Sequence, residues 1–113
     1  MLIRINNKKI EADICKSLLS KAIGFMFSFK PRNLLFIFDK ETVHSLHMFF
    51  VFFPIDVVFL EKNKKIVEIK EDFMPFTFYK PINKAMYILE MARGSVKRYG
   101  IKHNVKIEFK IND

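Results

Sequence analysis

Two carboxylates stand where chemistry is conceivable. Asp56 closes the run His47-Met48-Phe49-Phe50-Val51-Phe52-Phe53-Pro54-Ile55-Asp56. A carboxylate beside bulky aromatics is disfavoured in its charged form and titrates high, which suits acid–base work or a hydrogen bond at a pocket mouth. The competing reading is structural: an Asp just after a proline accepts backbone N–H bonds and pins the turn. Glu90 lies in the segment Ala85 to Gly94. Read on a helix, it falls roughly opposite the inner stripe, beside Met86 and Tyr87. Burial there demands a partner, and Arg93 is within reach for an ion pair. Two carboxylates also suit a glycosidase-like pair, provided they approach each other. The sequence does not bring them together.

The remaining reactive side chains are scattered. His44 and His47 are three apart; on an extended strand they point to opposite faces, which removes a simple metal site. His103 stands alone in a loop. With one cysteine and three dispersed histidines, a structural zinc site is not expected. Cys15 falls on an apolar stripe and reads as a small core residue. Ser17 and Ser20 have no base nearby. No nucleophile elbow, phosphate loop or dinucleotide fingerprint is present.

The elements that must position these residues follow from patterning. Ile3-Arg4-Ile5 and Lys9-Ile10-Glu11 flank Asn6-Asn7-Lys8, a tight hairpin signal because Asn tolerates positive φ. From Asp13, read as an N-cap, the residues Cys15, Leu18, Leu19, Ala22 and Ile23 recur at helical spacing until Gly24. Leu34 to Phe38 suits a buried strand. Val43 to Phe53 reads as a long aromatic strand ended by Pro54. Val57 to Leu60 and Ile66 to Ile69 read as a hairpin. Asn83 reads as the cap of a second helix with Ala85, Ile88, Leu89 and Ala92 inside. Ser95 to Tyr99 suits one short turn ended by Gly100. Val105, Ile107, Phe109 and Ile111 alternate with charged residues, a clear amphipathic strand pattern. This order predicts an α+β fold: a mostly antiparallel curled sheet or barrel-like β fold with two helices packed against it.

Composition sets the outer limits. The chain has 113 residues, half of them apolar and fourteen of them Phe. That is enough to build one core, so we read residues 1–113 as a single domain. The formal net charge is +8, which raises nucleic acid as a partner. The lysines are dispersed, however, and Phe49 to Phe53 carries no charge, unlike the sheets that stack nucleobases. The longest apolar run, Met48 to Ile55, is far short of the ~20 residues that span a bilayer. The single cysteine and the quickly polar N-terminus lead us to expect a soluble cytoplasmic protein without a membrane segment.

Several segments together resemble domain-of-unknown-function family 192, small β-rich proteins of archaea and bacteria. Gly24-Phe25-Met26 is similar to its Gly-Leu-Met, and Leu35-Phe36-Ile37-Phe38 to its Met-Leu-Phe-x-Phe strand. Met48 and Pro54-Ile55-Asp56-Val57-Val58-Phe59 resemble its Trp-Met-x-Asn-Thr and Pro-Leu-Asp segments. Ala85 through Leu89-Glu90 to Gly94 is similar to its Ala-Leu-Glu…Gly helix, and Gly100 with Val105-x-Ile107-x-Phe109 to its closing strand. The match runs from about Ile14 onward. His47 replaces the family's Trp, Phe49-Phe50-Val51 replaces Lys-Asn-Thr, and His103-Asn104 replaces Gly-Asp. The resemblance implies a barrel-like β fold with two packed helices and no established reaction.

These readings converge on a non-enzymatic domain that binds a small ligand or protein partner at a cleft near His47, Met48, Pro54, Asp56 and Glu90. The alternatives are nucleic-acid binding through the basic surface and an enzyme using Asp56 or Glu90 as acid or base. No metal or cofactor is expected, and the chain is expected to be a monomer or weak homo-oligomer.

Overall fold

A five-stranded sheet runs through the middle of the chain with a hydrophobic core on each face. The computed structural model describes residues 1–16 and 24–111. The strands are β1 (Leu2–Ile5), β2 (Lys8–Glu11), β3 (Asp13–Cys15), β4 (Leu34–Thr42), β5 (Leu46–His47), β6 (Ile55–Leu60), β7 (Ile66–Phe73), β8 (Phe78–Tyr79) and β9 (Ala85–Ala92). The main sheet has the order β3-β4-β9-β6-β7; β1-β2 and β5-β8 form two small antiparallel pairs. The β3–β4 pair is parallel, and the other main-sheet pairs are antiparallel.

Alternation along these strands sorts the side chains. Leu35, Val58, Leu60, Tyr87, Leu89 and Met91 face one core, which the N-terminal hairpin (Ile3, Ile5, Ile10) and the C-terminal segment (Ile107, Phe109) complete. Leu34, Phe36, Val57, Phe59 and Ile88 face the other, covered by Phe25, Met48, Val51 and Phe73. Burial on both faces explains why β6 is buried at all six positions and why its sequence shows no polar alternation.

The expected α+β architecture is corrected. Among the described residues there is one short helix, α1 (Ser95–Arg98), and the main sheet is open, since β3 and β7 at its two edges are not paired to each other. No closed barrel forms among the described strands. The segment read as the second helix is β9, the central strand of the sheet, paired with β4 on one side and β6 on the other. A strand buried on both faces and a buried helix give the same continuous apolar run, and eight residues are short enough for either. Asn83 caps no helix: its backbone N–H and side-chain amide both donate to Glu68.

At the first expected helix, Asp13–Cys15 is a strand, and Asp13 accepts a hydrogen bond from Arg32 at 2.8 Å. Residues 17–23, which carry the rest of that helical pattern, lie outside the described residues. The long strand expected over Val43 to Phe53 is reduced to Leu46–His47 followed by turns. The N-terminal hairpin is present with Asn6 and Asn7 at φ 47° and 59°. The β6–β7 hairpin is present, as is the short turn of helix before Gly100. Residues 105–111 keep their inside–outside alternation but join the sheets through isolated bridges, Arg4 to Glu108 and Lys65 to Lys106, not a full ladder.

Candidate functional site

Glu90 sits on central strand β9, opposite Leu34 of β4 and Val57 of β6. That register sends its carboxyl into the second core, where a cavity of about 540 Å³ opens. The walls are aromatic and aliphatic: Phe25, Phe36, Phe38, Met48 and Val51, with His44 and His47 toward the rim. The size falls in the range of small-molecule sites, which pair apolar walls with a few polar groups.

Burial alone drives the Glu90 pKa up to about 8, with no hydrogen bond or ion pair from a described residue opposing it. Water hydrates a carboxylate far better than Leu, Phe and Met side chains do, so the neutral acid is favoured. At neutral pH most of the population is protonated and presents an O–H donor to the cavity. The partner expected for Glu90 is elsewhere: Arg93 binds Asp72 at 2.7 Å. On a strand, residues 90 and 93 leave by opposite faces, whereas on a helix they would be neighbours.

The two histidines also depart from the strand reading. His44 lies outside any strand, stacked on Phe38 with ring centroids 3.6 Å apart, its Nε2 3.2 Å from the Thr42 hydroxyl. His47 is in β5, and its Nδ1 accepts the Phe49 N–H at 3.2 Å. With no strand joining them, the two line the same cavity. Among the described residues, no three His, Cys, Asp or Glu side chains gather as metal ligands would.

His47, Met48 and Glu90 are thus brought together, while Pro54 and Asp56 are not part of the lining. Asp56 projects from the other face of the sheet. Its Oδ2 accepts the backbone N–H groups of Gly94 (3.1 Å) and Val96 (3.0 Å), and its Oδ1 that of Asp72 (3.2 Å). Three donors satisfy this buried carboxylate and tie β6 to the start of α1 and the end of β7. Gly94 takes φ 89° there, in the left-handed region where a side chain is strained.

A third buried carboxylate, Glu68 of β7, had no signal beyond being an acid in an apolar strand. It accepts hydrogen bonds from the Tyr79 hydroxyl, from Ile82 N–H (3.0 Å) and from Asn83 N–H (2.9 Å) and side-chain amide (3.0 Å). Burial pushes its pKa up, but these hydrogen bonds together outweigh burial and the net value is lowered. Tyr79 is pushed up to about 12 by burial and by the Glu68 carboxylate. Glu90 and Glu68 are both buried acids, and of the two only Glu68 has its acceptors filled by described residues.

The lineage follows from comparison. The family model DUF192, described as Uncharacterized ACR, matches residues 1–109. The chain belongs to this family. A UPF0127 protein of Pyrococcus horikoshii is 38% identical over 102 residues, 88% of this chain and 82% of that protein. Another from Pyrococcus furiosus is 33% identical over 104 residues, 89% of this chain and 88% of that protein. Two crystal structures share the fold. One is a protein of unknown function from Novosphingobium aromaticivorans, with TM-score 0.87 and 18% identity, covering 96% of this chain and 84% of that one. The other is described as a putative transcription regulator from Sinorhizobium meliloti, with TM-score 0.88 and 20% identity, covering 95% and 91%. Among the described residues of this DUF192 member, no helix is long and apolar enough to cross a membrane.

Proposed function

We propose that this DUF192 domain binds a small, mainly apolar molecule in the Glu90 cavity, without catalysing a reaction on it. The observation that carries the reading is a buried carboxyl, raised to about 8, that lines a cavity of about 540 Å³ and is met there by no hydrogen bond or ion pair from a described residue. Such a group offers one strong hydrogen bond to a ligand acceptor, a carbonyl or ring nitrogen, while Phe25, Phe36, Phe38, Met48 and Val51 supply apolar contact. An amine would bind by ionising Glu90, and then binding would release a proton.

The test is a fragment titration followed by NMR. Hits are expected to shift Met48, Val51 and Glu90 and to weaken about tenfold in Glu90→Ala, the size of a hydrogen bond lost from a buried site. A library that gives no shifts in these residues at millimolar concentration refutes the reading. An acid–base role for Glu90 is separated from simple binding by turnover: an enzyme changes its ligand, and a binding site returns it intact.

A second reading has its own observation. A larger cavity of about 830 Å³ is bordered by Arg4, Lys64, Lys106 and Lys110 against one acid, Glu108, on a chain of net charge +8. The Sinorhizobium meliloti structural neighbour is described as a putative transcription regulator. Both suit a polyanion. Titration with RNA and single-stranded DNA at two salt concentrations decides: electrostatic binding weakens steeply with salt, and an absence of salt-sensitive binding removes the reading.

A further inference from the structure

Beside the cavity, aromatic rings lie on the outside of the molecule. Phe27, Phe50, Phe52 and Phe76 are 61, 47, 52 and 50% exposed. They form one continuous ridge: Phe27 stacks on Phe50 at 5.1 Å, Phe50 meets Phe76 edge-on at 6.1 Å, and Phe76 meets Phe52 at 5.9 Å. Phe78, 71% exposed, meets Phe49 edge-on at 4.8 Å on the same two segments. A monomeric soluble protein seldom shows a patch of this kind without using it.

The backbone holds these rings outward. Phe27, Phe50 and Phe76 have φ of 61°, 57° and 60°. For a bulky side chain this left-handed conformation is an outlier and carries strain. Strain of this sort persists where the surroundings impose it, and it concentrates at functional loops. Here the three loops lock one another. Phe27 N–H donates to Phe50 C=O at 2.8 Å, Phe76 N–H to Met48 C=O at 2.7 Å, and Met48 N–H to Thr77 C=O at 2.8 Å. The rings are displayed by a braced scaffold.

The charges carried within the ridge segments have one sign. The segments carrying the ridge are residues 24–33, 43–55 and 73–84, and none of the chain's twelve acidic residues falls in them. They hold Lys30, Lys80 and Lys84, all exposed. Arg32 also lies there but is paired with Asp13 at 2.8 Å, which leaves the three lysines as the uncompensated charge of these segments. An exposed aromatic ridge whose own segments carry free cations matches a surface that is apolar underneath and negative on top.

We propose that this ridge docks on an anionic lipid bilayer, with the phenylalanines seated at the headgroup–acyl boundary and Lys30, Lys80 and Lys84 among the headgroups. Apolar insertion together with electrostatic attraction is the combination that gives stable attachment without a spanning segment. A second copy of the chain fits less well, because pairing two such faces would juxtapose lysines. The expectation of no membrane segment rested on the lack of a spanning run, and a surface attachment needs none. His47 and Met48, in the same loop as Phe50, line the cavity, but the proposal does not depend on a ligand there.

The experiment is vesicle flotation of the full chain with phosphatidylcholine alone and with phosphatidylcholine and phosphatidylglycerol at about three to one. Binding is expected to the anionic vesicles, to weaken with salt, and to be absent with phosphatidylcholine. Phe50→Asn with Phe76→Asn removes two rings and should keep the fold, because Asn accepts the left-handed backbone. Lys80→Glu with Lys84→Glu changes exposed residues only. A lysine near an anionic surface is worth about fivefold in partitioning, so each double variant is expected to lose about tenfold or more. No flotation with anionic vesicles at low salt, or variants that float like the parent, overturns the proposal. So does light scattering that shows a dimer dispersed by the Asn pair while flotation is unchanged, since a second copy then covers the ridge.

Discussion

Asp56 faces Met91 across the β6–β9 ladder, and one rung away Glu90 faces Val57. Adjacent rungs of a pleated sheet point to opposite sides, so the two carboxylates are divided by the sheet they share. A glycosidase-like pair is therefore impossible, and each acid answers to its own surroundings. Asp56 is met by three backbone N–H groups. Asp56→Ala should destabilise the fold by about 4 kcal/mol, since it leaves buried donors without acceptors. Asp56→Asn, which keeps one acceptor oxygen, should lose about 2 kcal/mol. Urea unfolding measures both, and ligand affinity in the Glu90 cavity should change little in whatever fraction stays folded.

Glu90 should make the protein less stable as the solution becomes alkaline. Its folded pKa is about 8 against an ordinary 4.5. Between those values the folded chain holds a proton that the unfolded chain has released. The stabilising effect of that proton is complete below pH 4.5, is lost as pH rises through the window, and is gone above about 8. The slope attributable to Glu90 approaches about 1.4 kcal/mol per pH unit within the window. Glu90→Gln stays neutral at every pH, so its urea midpoint should exceed that of the parent at pH 8 and converge with it at pH 4.5. Parallel pH profiles for the two proteins would show that Glu90 ionises normally.

Glu68 should act in the opposite sense. Its folded pKa is lowered, so its contribution is present above pH 4.5 and is lost as pH falls through the folded value. Glu68→Gln keeps the shape but weakens the bonds from Tyr79, Ile82 and Asn83, and it should lower stability at pH 7 by about 2 kcal/mol. The difference between Gln variant and parent should shrink in acid. Spectrophotometric titration should find one tyrosine near pH 12 in the parent, that of Tyr79, and a lower value once the carboxylate is gone.

How far these sites could be read beforehand depended on whether the signal was local. Asn6-Asn7 announced its hairpin because two residues at positive φ are a local demand. The β6–β7 hairpin and the turn at Gly94 to Gly100 were legible for the same reason. Glu90 was read as an acid that needs a partner if buried; it is buried, but its neighbours were misassigned, because they follow from whether Ala85 to Ala92 is a helix or a strand. Its apolar residues satisfy both periods, and only the pairing with β4 and β6 decides. Those partners lie far away in sequence. His44 was missed because Val43 to Phe53 was read as one strand; its turn places Phe50 at φ 57°, which no propensity favours. Glu68 gave no local sign, since its donors at Tyr79, Ile82 and Asn83 are brought in by tertiary packing.

The assignment of β9 as the central strand is itself testable. Ile88 lies opposite Phe36 and also Phe59, so the β9 backbone is bonded on both sides and screened by both cores. In solution, the Cα chemical shifts of residues 85–92 should fall below random-coil values, as in extended chain; a helix would move them above. The amides of this stretch should exchange only by global unfolding, the slowest class in the molecule, whereas those of β5 and β8, a two-residue pair at the rim, should exchange by local opening. Helical shifts over Ala85 to Ala92 would put Glu90 and Arg93 back on one face and remove the basis for an acid in the cavity that no described residue pairs. Extended shifts with uniformly slow exchange leave Glu90 held by a rigid strand, with its carboxyl fixed toward the cavity.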